Sequence, residues 1–339
     1  MIKLEYLIIL LLATIFLKIF IKNKNKIGSF FHVLDIPVEN KIHKRITPLI
    51  GSFPILILSI LILIYFSFTI KNQNISYILL YSYLFFIIGY LDDRFGLNAY
   101  LKLFVSIVII YLAINSLEFL IVGKIYIHTL DKMFFLGKFE IFFTILCILL
   151  LINAFNLMDG INGLASGFAS GWMLFLSLIT NNEQIFALFF TLSIFTLINT
   201  FQIIKGHYFL GDSGTLFLGC LIGLSTIYIY NEKLLVENLI DVEKIFIFFM
   251  IPGIDMFRLF LIRLLKKKDP FSRDLNHLHH ILLKHFKLNK TLLIYFFLFL
   301  SSNLLSYYNL ISSWLIIMIY LNIYIFFISF YKKKFKETS

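Results

Sequence analysis

The sequence predicts an all-α, polytopic integral membrane protein, on three observations. Of 339 residues, 60% are hydrophobic and only 14% charged, where soluble domains run near half apolar and about a quarter charged. The mean hydropathy is +0.91. The apolar residues also fall in runs near the roughly 20 residues that a helix needs to cross a hydrocarbon core of about 30 Å. About eleven runs meet that measure, near 4–21, 49–70, 76–91, 100–121, 140–157, 164–180, 185–204, 214–230, 244–264, 291–308 and 311–330. The runs at 76–91 and 164–180 are short, which leaves a count of ten open. No room remains for a soluble domain, so residues 1–339 form one membrane domain.

The first run follows Lys3 like a secretory leader. It has no small-residue cleavage site and ends in Lys22-Asn-Lys24-Asn-Lys26, so it is a retained helix. The segment 22–48 is basic and proline-punctuated, running Asp35-Ile-Pro37…Lys41-Ile-His43…Thr47-Pro48-Leu-Ile-Gly51. By itself it would be a linker. The run to Leu91 then breaks at Asp92-Asp93. A charge drawn to the bilayer centre costs about 2.5–3.5 kcal/mol on insertion scales, so such residues are usually functional. Two adjacent carboxylates attract Mg²⁺, or one acts as base or nucleophile while the other tunes it. A solvated helix end is the bland alternative. Lys102 stands about one turn into the following helix, suited to a phosphate or to snorkelling.

Beyond the fourth run, residues 122–139 alternate weakly and suggest an external hairpin. Cys147 and Cys220 fall inside apolar runs and imply helix packing, neither a disulfide nor a metal site. Asn153, Asn156 and Asp159, spaced by three, share one face of a helix. Gly160, Asn162 and Gly163 follow; amides beside a carboxylate suit a nucleotide or sugar, while helix packing is the alternative. In Gly211-Asp212-Ser213-Gly214-Thr215 an apolar helix starts directly after the aspartate. That arrangement suits a Mg²⁺-diphosphate, the carboxylate holding metal and the helix N–H groups facing phosphate. Last comes Asp269-Pro-Phe-Ser-Arg273-Asp274-Leu-Asn276-His277-Leu-His279-His280. No cysteine is near and the spacing fits no common zinc site. These histidines and Arg273 are donors for phosphate oxygens.

The formal net charge of +11 is a topological signal. With the tail Tyr331-Lys-Lys-Lys-Phe-Lys336 in the cytoplasm, eleven alternating spans put twenty-one Lys and Arg inside and seven outside, as the positive-inside rule requires. The N-terminus is then external. Every polar cluster falls in a cytoplasmic segment: near 22–48, 92–99, 153–163, 202–213 or 265–290. Such a distribution argues for an interfacial enzyme and against a nucleic-acid partner. A transporter would more often place ionisable residues at the midplane, between repeats.

At these residues the chain resembles the polyprenyl-phosphate N-acetylhexosamine-1-phosphate transferases, the WecA, TagO and MraY family. Five motifs match in order between about residues 35 and 285: Asp-x-Pro…Lys-x-His…Thr-Pro-x-x-Gly, Asp-Asp-Arg-Phe-Gly-Leu-Asn, Asn-x-x-Asn-x-x-Asp-Gly-x-x-Gly-Leu, Gly-Asp-Ser-Gly-Thr and His-Leu-His-His. Three positions depart: Asn162 replaces a second aspartate, Asn40 stands where arginine is common, and Ser52 where a second glycine is common. The His-Leu-His-His form resembles the N-acetylhexosamine branch. The resemblance implies transfer of a phospho-sugar from a UDP-sugar to undecaprenyl phosphate with release of UMP, at the cytoplasmic face of a bacterial inner membrane. It implies Mg²⁺, or Mn²⁺, on Asp212, with Asp92 or Asp93 orienting or deprotonating the acceptor. Asn156, Asp159 and Asn162, together with Lys41, His43, Lys102, Arg273, His277, His279 and His280, would bind substrate. A muramoyl-pentapeptide donor, a lipid-linked sugar flippase and a homodimer stay open as alternatives.

Overall fold

The computed structural model describes residues 4–37, 45–69, 73–235, 241–269 and 275–338, and each of the eleven predicted runs forms a helix. In chain order the elements are α1 (Leu4–Lys22), α2 (Lys24–Phe31), β1 (Leu34–Asp35), β2 (Thr47–Pro48), α3 (Phe53–Thr69), α4 (Gln73–Phe95) and α5 (Ala99–Ser116). There follow β3 (Lys124–Ile127), β4 (Lys132–Phe135), α6 (Glu140–Met158), α7 (Leu164–Ile179), α8 (Glu183–Ile204) and α9 (Gly211–Leu235). The last are α10 (Val242–Leu265), α11 (Leu278–Leu283), α12 (Leu288–Tyr307) and α13 (Ser313–Thr338). Among the described residues, eight helices are long and apolar enough to cross a membrane, and α3 and α7 are shorter apolar helices. The protein is an all-α, multi-pass membrane protein.

Three predicted loops hold more structure than the sequence suggested. Residues 22–48 include α2 and the antiparallel pair β1–β2, with Leu34 opposite Pro48 and Asp35 opposite Thr47. Residues 265–290 include α11, which begins directly after His277. Helix α4 does not stop at Leu91 but continues to Phe95, so Asp92 and Asp93 lie in its last turn. Carboxylates there oppose the helix dipole, and this is offset by the Lys102 ammonium, the Leu97 N–H and the first N–H groups of α9. The hairpin expected at 122–139 is present as antiparallel β3–β4, pairing Lys124 with Phe135 and Ile127 with Lys132. Both cysteines are free, Cys220 buried and Cys147 half-buried.

Helix α9 is the axis of the bundle: its apolar stretch is buried along its whole length, as expected of a helix apolar on every side. It packs against α4, α6 and α7. Close approach is possible because its first half is built from small residues, Gly211, Ser213, Gly214, Thr215 and Gly219. Deeper in the bundle, Pro252 within α10 has no N–H to give the Phe248 carbonyl four residues back. The buried Trp172 of α7 supplies that bond instead, Nε1 donating to Phe248 O at 2.9 Å.

Candidate active site

The site starts from the sharp corner between α4 and α5. Gly96 takes φ +66°, a conformation costly for a residue with a Cβ, and its N–H donates to Asp92 O at 2.8 Å. Leu97 N donates to Asp92 Oδ1 at 2.7 Å, and Asn98 caps α5 by accepting from Tyr100 N at 2.9 Å. The corner turns Lys102 back onto α4. Its ammonium pairs with Asp92 Oδ2 and lies 3.3 Å from Asp212 Oδ2, so it is no snorkelling lysine. One cation thus joins two carboxylates more than a hundred residues apart.

Asp93 does something else. Its Oδ1 accepts from Asp212 N at 2.8 Å and its Oδ2 from Ser213 N at 2.9 Å, so α4 caps α9 across the bundle. This corrects the expectation that these N–H groups face a phosphate, because a carboxylate of the chain already takes them. Gly211 opens α9 at φ +79°, and a Cβ there would lie 2.7 Å from Asp93 Oδ2. Gly89, one turn earlier on α4, touches the α9 backbone directly: a Cβ would lie 2.3 Å from Asp212 O. The 47–51 motif steadies the same turn. Phe209 N donates to Pro48 O at 2.9 Å and Gly51 N to Phe209 O at 2.8 Å. Asn199 donates to Gly51 O at 2.7 Å and accepts from Tyr208 OH at 2.6 Å. Ser52, the departure from the family pattern, has a buried partner in Ser213, with hydroxyl oxygens 2.9 Å apart.

The expected polar face of α6 divides. Asn156 Oδ1 accepts from Thr215 Oγ1 at 3.1 Å, which ties it to the first turn of α9. Asn153 instead donates to Leu149 O of its own helix at 2.8 Å and stays out of the site. The helix ends at Met158, and Asp159 is its C-cap. Among the described residues the Asp159 carboxylate has no hydrogen bond or ion pair. Burial, together with the neighbouring carboxylates of Asp212 and Asp93, pushes its carboxyl well above the usual range. Asn162 follows in the turn, and no side-chain bond ties it to another described residue.

The histidines close over that turn. A Cβ on Gly160 would meet His279 Nε2 at 2.1 Å and His280 Nε2 at 3.0 Å. The His279 and His280 rings lie 4.2 Å apart, and those of His277 and His279 are parallel, 5.3 Å apart. His279 is 1% exposed, and its Nε2 is buried with no partner among the described residues. Burial, and beyond it the neighbouring His280, hold its imidazole well below the usual value, so it is neutral at pH 7. All five motifs thus meet at the ends of α4, α6 and α9, the first of them through residues 47–51.

Over 298 residues the chain is 30% identical to the undecaprenyl-phosphate alpha-N-acetylglucosaminyl 1-phosphate transferase of Yersinia pestis, covering 83% of this chain and 76% of that one. The family described as glycosyl transferase family 4 matches residues 75–230. The chain belongs to that family. The protein of the same name from Escherichia coli K12 is 30% identical over 81% of this chain and 75% of its own. The one from Thermotoga maritima is 27% identical over 80% of each. The family match takes in Asp92, Asp93, Lys102, Asn156, Asp159 and Asp212 and stops before the histidines.

The donor set at this corner suits a divalent cation. Asp92 and Asp212 already converge on a single positive charge. Mg²⁺ is commonly held by one or two carboxylates together with substrate phosphates. Lys41, His43 and Arg273 lie outside the described residues. Sequence reasoning missed Gly89, whose signal was a glycine in an unbroken apolar helix. It also missed Asp255, a carboxylate within an apolar run and so a functional candidate by default.

Proposed function

We propose that this chain transfers N-acetylhexosamine-1-phosphate from a UDP-sugar to undecaprenyl phosphate, at the cytoplasmic face of a bacterial inner membrane. The observation that carries the proposal is the meeting of Asp92, Lys102 and Asp212 at the abutting ends of α4, α5 and α9. The names of the relatives support the same chemistry, and they lend nothing to a flippase or a muramoyl-pentapeptide donor. An acceptor phosphate oxygen forms a bond to the sugar-linked phosphorus as that phosphorus separates from the bridging oxygen, which leaves with its electron pair on UMP. A phosphate monoester has a second pKa of about 6 and is largely dianionic at pH 7, so the chain need remove no proton. Its task is to place the two phosphates and neutralise charge.

Lys102 is the cation that α5 places among the phosphates, and Asp92 keeps its ammonium oriented. Mg²⁺ or Mn²⁺ held at Asp212, with Asp92 adjacent, would supply charge neutralisation for the donor diphosphate. Asp93 acts indirectly, by holding the first turn of α9 where Asp212 is needed. Asn156 and Asp159 contact nucleotide or sugar, and His277, His279 and His280 face phosphate oxygens. The lipid acceptor enters sideways from the bilayer.

The test is UMP release by purified protein from a panel of UDP-sugars with undecaprenyl phosphate, with and without Mg²⁺, beside Asp212→Asn. Metal-dependent UMP that collapses in the variant is expected and identifies the sugar. Folded protein that releases no UMP from any donor overturns the proposal.

A further inference from the structure

We propose that Asp255, on α10, is a positioning residue for the histidine cluster. Its carboxylate holds a hydrogen on His277 Nδ1 and so leaves Nε2 as the atom offered to substrate, a donor to phosphate once the ring carries its second proton. Asp255 Oδ2 lies 2.8 Å from His277 Nδ1. An ionised carboxylate only accepts hydrogen bonds, so Nδ1 must carry hydrogen in that contact. The carboxylate is itself fully engaged. Oδ1 accepts from Tyr324 OH at 2.6 Å and from an Arg258 guanidinium N–H at 3.0 Å, while Leu278 N bridges both oxygens at 3.2 and 3.3 Å.

Arg258 also donates to Asn276 O at 2.6 Å and, through Nε, to Tyr324 OH at 2.6 Å. Two residues of α10 therefore grip the backbone on both sides of His277 as well as its ring, and Tyr324 of α13 braces both of them. Asp255 and His277 are 6% and 5% exposed. A buried ion pair adds little net stability over a well-packed apolar replacement, which points to a role in orientation. The path onward is short. The parallel stack carries the setting of the His277 ring to His279, whose Nε2 abuts Gly160, the neighbour of Asp159. The same logic governs histidines held by a carboxylate at metal and catalytic sites: the partner selects the tautomer and the ring angle.

The functional half rests on the transferase reading, and the tautomer is tested without it. In full-length protein labelled with ¹⁵N-histidine, the His277 signal is assigned by its loss in His277→Gln. A protonated Nδ1 is expected at neutral pH, and a bare Nδ1 overturns the proposal whatever the activity of the protein. In Asp255→Asn the amide no longer enforces that tautomer. The kcat for UMP formation should then fall about 10- to 100-fold, the usual range for loss of such a partner, with donor KM little changed. Asp255→Glu, still an acceptor only, should recover part of the rate. A folded Asp255→Asn protein with wild-type kcat overturns the proposal. If wild-type protein releases no UMP, the transferase reading fails and the spectrum still decides the tautomer.

Discussion

Gly89→Ala tests how closely α4 and α9 are fitted at the site. The added Cβ would lie 2.3 Å from Asp212 O and 2.5 Å from both Asp212 C and Ser213 Cα, all of them backbone atoms. Ordinary contact begins near 3.4 Å, so the start of α9 must retreat by about 1.1 Å. A retreat of that size stretches the bonds from Asp212 N and Ser213 N to Asp93, now 2.8 and 2.9 Å, beyond the hydrogen-bond limit of about 3.2 Å. It also carries Asp212 away from Lys102. A displacement of about 1 Å in a catalytic array costs about 10²-fold in rate. Stability should respond far less. Overpacking costs about 1–3 kcal/mol, and alanine in place of glycine within a helix returns about 0.8–1.0 kcal/mol. UMP release and thermal unfolding would be measured beside Gly253→Ala, where a Cβ meets nothing within 4 Å. Full activity in Gly89→Ala, or an equal loss in the Gly253 control, would refute the reasoning.

Asp92→Asn and Asp93→Asn should separate chemistry from scaffolding. Asp93→Asn leaves an amide N–H facing a backbone N–H of α9 and should cost about 1–2 kcal/mol as well as activity. Asp92→Asn leaves Lys102 its second carboxylate and should cut activity with a smaller change in melting; equal melting losses would contradict the assignment. Asp159 binds its proton more tightly in the folded chain, so ionising it costs stability as pH rises above the usual carboxylate value of about 3.9. Asp159→Asn, studied without added divalent cation, should therefore melt higher than wild type at neutral pH. The gain should vanish below about pH 4, and a lower midpoint at neutral pH would count against the raised Asp159 carboxyl. Trp172→Phe strands the Phe248 carbonyl that Pro252 leaves open and should cost about 1–3 kcal/mol. Pro252→Ala, which restores the helical N–H, should relieve part of that loss in the double variant; strict additivity would argue against the coupling.

Eleven apolar runs were legible in the sequence because the thickness of a bilayer sets the length of an apolar helix, which the order of residues shows directly. The four polar clusters were legible for a related reason, since ionisable groups are costly in an apolar chain and stand out against it. What each cluster does was not. Asp92 and Asp93 are neighbours of the same chemistry, yet Lys102 takes one and the backbone of α9 the other. Asn153 and Asn156 share a spacing, yet one bonds its own helix and the other reaches Thr215. Asp255 and Gly89 carried no motif at all. Which donor meets which acceptor depends on how helices distant in sequence pack together, and only the tertiary structure decides that, because a hydrogen bond is won or lost within a few tenths of an ångström.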